Sequence, residues 1–569
     1  MGTNPFSSPE AAVAWMESLC CNFHVDPKGA EVALRELRAA EGGIDASKVI
    51  FERSSIPMAQ FHAISTIQAA ALARWDGLSD GDRHGLRAFV WDVLVRRRDL
   101  DAAASAQALR TFCVFWKRSW ADEPEENRRA LLGHLAELVA SGDSERSLLA
   151  AKTARALVVE FGSNNASSIG LPLEFHRRAR HTFEECGLDE CLSLGMELLS
   201  RVVTAVGAAG GSALDPGLVV AAAAVQLCTE LLSWEFNERA PWQLPRSDEL
   251  VCPGERWRGY LVRPDFLGAV FGLYLRVRGL YRCIGGGGRG GVNGASIAAA
   301  VLPHTVRQLL IQLGSVHGDI FEGTAQRSAY ASFLVEGVTA VLDAPLEGGG
   351  SVGPGAMAGA SSGGGSEASG DPALTEAYAA EVRDMTTLGA RLLSNFQLEG
   401  LRPLLSFERF VRALAALTEA VLAGAAAEAA TVVSVAGGGE SWRLECLDVL
   451  LEAWVYIAEH RSVQTGLDPQ LRAALSELTR PIYERYVAAR TALARAEAEC
   501  ANNEENSEEE YIESADLREQ MASAAMLGRL GAGAALALLT VQLEAALHSL
   551  AGMVATGTIG GRPALEGGG

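Results

Sequence analysis

Apolar residues recur with the period of an α-helix along nearly the whole chain, and this leaves few folds open. Between Ala59 and Trp75, the residues Phe61, Ile64, Ile67, Leu72 and Trp75 share one helical stripe, with Gln60 and Arg74 between them. Pro57 stands just before that segment, where a missing N–H costs nothing. Leu86, Phe89, Val93 and Leu94 mark a second stripe, closed by Arg96, Arg97 and Arg98, cations suited to the negative end of a helix dipole. The rhythm of helix, short polar turn and helix continues, and no sustained two-residue alternation offers a sheet. One antiparallel helix pair cannot cover its own apolar faces, so pairs must stack side by side. At about 40 to 47 residues per pair, the spacing predicts an all-α, HEAT/armadillo-type α-α superhelix, a solenoid of roughly 11 or 12 pairs. Trp75, Trp91 and Trp116 are expected in its core.

Three segments break the rhythm. Gly285–Gly294 and the Gly/Ser-rich stretch from about Glu347 to Gly370 cannot bury a core. The acidic run Asn502–Ser514 repels itself and is expected as a solvated insertion. The chain ends in Gly567, Gly568 and Gly569 with no capping repeat, as a fragment of a longer array would. The expected organisation is helical repeats over 1–100, further solenoid over 101–344 with the insert at 285–294, a flexible linker over 345–372, solenoid over 373–500, the acidic insert at 501–515, and another helical repeat over 516–569.

Composition fits a folded helical chain. Of 569 residues, 49% are hydrophobic and only 7% aromatic, while Ala, Leu, Glu and Arg, the strong helix formers, dominate. The net charge of −21 argues against nucleic acid or an anionic membrane as main partner and favours basic proteins. The 10 cysteines show no zinc spacing and read as reduced, buried thiols. The N-terminus lacks the pattern of a signal peptide. The most apolar stretch, Leu530–Val541, is shorter than the roughly 20 residues that span a bilayer, so no membrane insertion is expected.

Motifs for chemistry fail on context. Gly359–Gly363 matches G-x-S-x-G but lies in the Gly/Ser-rich stretch with no strand before it. Gly285–Gly291 lacks the Lys-Ser/Thr of a phosphate loop. His176 and His181 do not share a helical face and read as surface or capping residues. Glu184 and Glu185 read as solvated charge, and Arg96–Arg98 as a helix-end cation cluster. No catalytic, cofactor-binding or metal-ligating set emerges, and an enzyme is not expected.

Particular strings go beyond generic helix. Ala33–Arg38, then Ser55 with Phe61-His62-Ala63 and Trp75, then Leu86–Phe89 resemble the N-terminal domain of importin-β-like transport receptors. Further strings are similar, in the same order, to those of exportin-4-type nuclear export receptors. They are Ser167–His176, Leu231–Phe236, Glu255–Arg258, Gly314–Phe321, Leu447–Trp454 and Met521–Leu530. The glycine-rich inserts and high alanine content depart from that pattern, and the chain is much shorter than such receptors.

The resemblance implies a receptor that grips Ran-GTP and a protein cargo together and releases both after GTP hydrolysis. Each ligand favours the same curvature, so each raises the other's affinity. It implies Ran contacts on second helices of the first repeats, within Lys28–Arg38, Gln60–Arg74 and Arg83–Arg98, with Glu31, Arg35, Arg38, Gln68 and Arg74 as candidates. It also implies a monomer that shuttles between nucleus and cytoplasm and meets Phe-Gly proteins of the nuclear pore. Its implied cargo is the hypusine-bearing translation factor five A, which needs a carboxylate-lined pocket. Import or bidirectional transport fits the same features, as does a helical-repeat scaffold with no Ran dependence.

Overall fold

The computed structural model describes residues 8–162, 171–208, 216–236, 250–278, 294–343, 372–432, 442–501 and 515–555. The G-x-S-x-G string, the glycine-rich insert apart from Gly294, the linker apart from Pro372, the acidic insert and the terminal glycines lie outside them. So do Cys283 and the first four residues of Ser167–His176. Among the described residues there is no strand, only a single parallel bridge, Val251 to Val316. The rest is helical: α1 (Pro9–Cys21), α2 (Pro27–Ala39), α3 (Gly43–Arg53), α4 (Pro57–Ala73), α5 (Asp80–Arg96), α6 (Ala102–Ser119), α7 (Glu125–Ala140), α8 (Ser144–Gly162), α9 (Leu173–Cys186), α10 (Leu188–Ala208) and α11 (Pro216–Leu232). After the short α12 (Arg258–Leu261) come α13 (Pro264–Val277), α14 (Gly294–Gly314), α15 (Thr324–Asp343), α16 (Pro372–Leu401), α17 (Phe407–Val432), α18 (Trp442–Ala458), the short α19 (Arg461–Gln464), α20 (Pro469–Ala501), α21 (Ala515–Leu530) and α22 (Ala532–Ala555). The fold is all-α and of HEAT type.

The chain forms two compact units. One comprises Met1–Trp242, Pro253–Tyr260 and Gly288–Gln312, the other Gln243–Cys252, Leu261–Gly287 and Leu313–Gly569. In the first, second helices stack as a row, α2 on α4, α4 on α6, α6 on α8 and α8 on α11, while α1 packs on α3 and α7 on α10 in the row of first helices. The rows are tied by α3 with α4, α5 with α6, α7 with α8 and α10 with α11. In the second unit, α16, α18 and α21 form one row and α15, α17, α20 and α22 the other. Several helices there exceed the expected length. Pro481 sits inside α20, and α16 breaks at Gln397 with φ of 58°. Gly337 of α15 is required by close approach, since a Cβ there would stand 2.5 Å from the Phe271 ring of α13.

Aromatic packing forms the seam of the first unit. Trp120 lies 5.0 Å from Phe161 and 5.5 Å from Phe183, ring centre to ring centre, and Phe161 stacks on Phe183 at 4.3 Å. Phe183 reaches Trp234 at 5.9 Å, so the seam runs from α6 through α8 and α9 to the end of α11. Trp75 is 3% exposed and Trp116 8%, as their spacing implies, but Trp91 is only half-buried, stacked on Phe112 at 5.1 Å. Trp75 occupies a 3-10 turn just after α4 rather than the helix itself.

The α4 stripe is rotated from its expected position. Ile64 and Ile67 are fully buried, but Phe61 is 37% exposed, while Gln60 and Gln68 turn inward at 2% and 6%. Both amides find partners. Gln60 Nε2 donates to Ser54 O at 2.9 Å, and Gln68 Oε1 accepts from Gln107 Nε2 at 2.7 Å and Thr111 Oγ1 at 3.0 Å. Among the described residues Gln60 Oε1 has no such partner, and a buried oxygen left unpaired costs about 1–3 kcal/mol.

Further expectations change. His176 is buried, not surface, and burial followed by the nearby Lys117 charge holds its imidazole below the usual value. His181 is exposed and lies 3.4 Å from Glu185. Glu184 is not free solvated charge: it accepts from Trp234 Nε1 at 2.6 Å and meets Arg180 at 3.4 Å. Of the thiols, Cys20, Cys113, Cys191, Cys228 and Cys446 are buried, but Cys21 is exposed. Burial pushes Cys191 and Cys228 up to about 12, leaving protonated, inert thiols. Apolar helices are also longer than the Leu530–Val541 stretch suggests. Phe407–Glu428 and Ala532–Gly552 are both long and apolar enough to cross a membrane; over half of the first is buried in the core, none of the second.

Arginines from one repeat close helix ends of the one before. Arg74 donates to Ala39 O at 3.1 Å and Ala40 O at 2.9 Å at the end of α2. Arg97 donates to Phe51 O, Glu52 O and Ser54 O at 3.0–3.1 Å at the end of α3. Arg201 of α10 reaches Val139 O of α7 at 2.6 Å. A helix leaves its last carbonyls without intrahelical partners and carries partial negative charge there, so a guanidinium is the fitting cap.

Trp75→Ala is expected to lower the stability of the first unit by about 3–5 kcal/mol through cavity formation, seen as a shifted urea midpoint. Arg97→Ala is expected to cost about 1.5–3 kcal/mol, because charge-assisted bonds to three carbonyls vanish together. An unchanged unfolding midpoint for that variant would show that water replaces the guanidinium without loss.

Candidate partner-binding surface

A protein built from stacked helix pairs can meet partners only with the helix faces its own packing leaves open. On α2, Pro27 begins the helix and Asp26 caps it, its Oδ1 accepting from Gly29 N at 2.9 Å. Ala30, Leu34 and Leu37 take the buried stripe. That phasing fixes Glu31, Arg35 and Arg38 as exposed. Among the described residues, none of the three makes a side-chain hydrogen bond or ion pair. Their charges are held in place by a rigid helix and remain available to a partner.

The other two candidates are differently engaged. Arg74 is half-buried and spends its guanidinium on the end of α2. Gln68 is buried with both lone-pair sites of its oxygen occupied by Gln107 and Thr111. It belongs to the α4–α6 contact. The segment Arg83–Arg98 lies on α5, a first helix that packs against α6, not in the row of α2 and α4. Its cations are used internally: Arg87 with Ser119 and Glu123, Arg96 with Asp92 at 2.6 Å and Glu52 at 3.1 Å, and Arg98 with Glu145.

The open face of α4 is apolar where polar contacts were expected. Met58 is 45% exposed and Phe61 37%. His62 joins Phe61 to Phe23, with ring centres 5.8 Å and 6.0 Å away. Burial, then the Arg38 charge, holds the His62 imidazole below its usual value, so it is neutral at physiological pH. The second-helix row thus offers free charges on α2 beside an aromatic cluster on α4. Phe61 had no sequence signal for this, since it shares the helical spacing of the buried isoleucines.

The strings that carried the resemblance fold into packing hubs. Trp257 is fully buried, with its Nε1 donating to Asp189 Oδ1 at 2.7 Å and its ring 4.9 Å from Phe236. Trp454 is fully buried, donating to Thr418 Oγ1 at 3.0 Å. In the Gly314–Phe321 string, Asn395 Nδ2 donates to Gly314 O at 2.9 Å and Val316 O at 2.8 Å, and Gly318 takes φ of 89°. These residues set repeat geometry rather than partner contacts.

Two rows of stacked helix pairs define the class, a HEAT-type helical-repeat protein. The family model of Exportin-4 matches residues 16–347, and the chain belongs to the Exportin-4 family. It is similar to Exportin-4 of Dictyostelium discoideum, with 20% identity over 546 residues, covering 88% of this chain and 44% of that protein. The chain therefore spans less than half the length of that curated relative.

Proposed function

We propose that the chain works in a Ran-GTP-dependent nuclear export receptor that carries protein cargo through the nuclear pore. Membership of the Exportin-4 family, with its model matching residues 16–347, is the observation that carries this reading. The exposed charges of α2 and the Phe23–His62–Phe61 cluster support it, because together they form a pre-organised mixed charged and aromatic face. On this reading Glu31, Arg35 and Arg38 touch Ran. Arg74 and Gln68 position α2 and α4 from behind. The GTP state is sensed because Ran's switch segments order only around the γ-phosphate. Phe-Gly proteins of the pore and a protein cargo complete the partner set, with shuttling between nucleus and cytoplasm as the consequence.

The test is retention of purified Ran, loaded with GTP or GDP, on the immobilised chain. GTP-selective retention is expected, and Arg35→Glu with Arg38→Glu is expected to weaken it by about tenfold or more, since two free charges are reversed. Equal retention of both nucleotide states would sink the reading and leave a helical-repeat scaffold without Ran dependence. Selective retention untouched by the double variant would move the contact off α2.

A further inference from the structure

In the second unit, neighbouring helices α18 and α21 leave a groove of about 780 Å³ between them, a size typical of ligand sites. Its floor is apolar, formed by Leu451, Val455 and Met526. Its rim carries Asp448, Glu452, Glu459 and Glu519, and Arg529 is the one cation among the lining residues. Both walls are single faces of regular helices. Asp448, Glu452 and Val455 recur along α18, with Glu459 in the turn directly after it, and Glu519, Ser523, Met526 and Arg529 recur along α21.

Two features set this groove apart from the surrounding surface. Many carboxylates of this unit are paired, as Asp343 is with Arg409 at 2.8 Å, Glu419 with Arg485 at 3.0 Å and Glu399 with His460 at 2.6 Å. Among the described residues, Glu452, Glu459 and Glu519 have no ion pair and no side-chain hydrogen bond. The walls are also locked together. Gln520 of α21 is 4% exposed, donates Nε2 to Asp448 of α18, and accepts from Arg490 of α20 through Oε1. Like charges therefore ring an apolar floor between two helices that Gln520 ties together, and a cation with an apolar stem is the chemistry that suits both.

We propose that the α18–α21 groove docks a basic amphipathic segment of a partner protein. Its apolar side chains cover Leu451, Val455 and Met526, while its Lys or Arg heads meet Glu452, Glu459 and Glu519. Charge complementarity selects this occupant. An acidic segment would add to the repulsion, and an uncharged one would desolvate carboxylates without compensation. This goes beyond the export reading and does not rest on it, since the groove uses neither α2 nor α4.

The probe is a fluorescein-labelled, 18-residue helical peptide of Leu and Lys with Leu on one face, followed by anisotropy and carrying a photoreactive Leu analogue for mapping. Glu452→Gln, Glu459→Gln and Glu519→Gln combined are expected to weaken binding by about tenfold or more, and Arg529→Glu to strengthen it, with both effects fading as salt screens the charges. Glu125→Gln, Glu126→Gln and Glu137→Gln combined remove the same charge elsewhere and are expected to leave affinity unchanged. Cross-links are expected on α18 and α21. Equal weakening by the two triple variants, no weakening by the first, or cross-links confined to the exposed apolar face of α22 would overturn the proposal. Unchanged melting midpoints establish that the variants are folded, and Arg529→Glu tests the opposite direction on an exposed side chain.

Discussion

A helix pair has two apolar faces and only one internal contact, so half of what it should bury stays in water until another pair arrives. Most of the packing in the two units answers that constraint. Within the first, the row from α2 to α11 closes one face after another, and the aromatic seam from Trp116 to Trp234 passes continuously across repeat boundaries. No repeat owns this core. Trp120 caps α6 but packs on Phe161 of α8 and Phe183 of α9.

Stacking creates a second demand. Helix ends brought beside a neighbour lose water from carbonyls that have no partner in their own helix. Arg74, Arg97 and Arg201 answer it, each bonding to a helix end one repeat away. The second unit settles its buried polarity by a different route. Glu381 is 6% exposed and takes hydrogen bonds from Tyr274 Oη at 2.8 Å and Arg278 Nε at 2.9 Å, which joins α16 to the end of α13. Such a pair gives little net stability, but breaking either half strands a charge, so it favours one register over others. Asn395 does similar work for the loop after α14, binding carbonyls that no helix satisfies.

This economy shapes the candidate surface. Charges that serve the stack are spent: Arg87, Arg96, Arg97 and Arg98 all have partners within the first unit. Charges that remain free, such as Glu31, Arg35 and Arg38, can bind without first breaking an internal bond. The same distinction separates the carboxylates of the α18–α21 groove from paired ones such as Asp343 and Glu419.

The sequence by itself determined the helices, their pairing and the family, because these follow from local periodicity, turn residues and the order of a few strings. It also placed Glu31, Arg35 and Arg38 outside, since the α2 stripe of Ala30, Leu34 and Leu37 leaves them no other side. Only the tertiary structure decided the fate of Gln68, Phe61, His176 and Glu184. For Gln68 the choice rests on Gln107 and Thr111, and for Glu184 on Trp234, all far along the chain. The spent arginines and the groove were hidden for the same reason. Whether a charge is free depends on which helix end or carboxylate arrives beside it, and that partner is 62 residues away for Arg201 and 47 for Arg98.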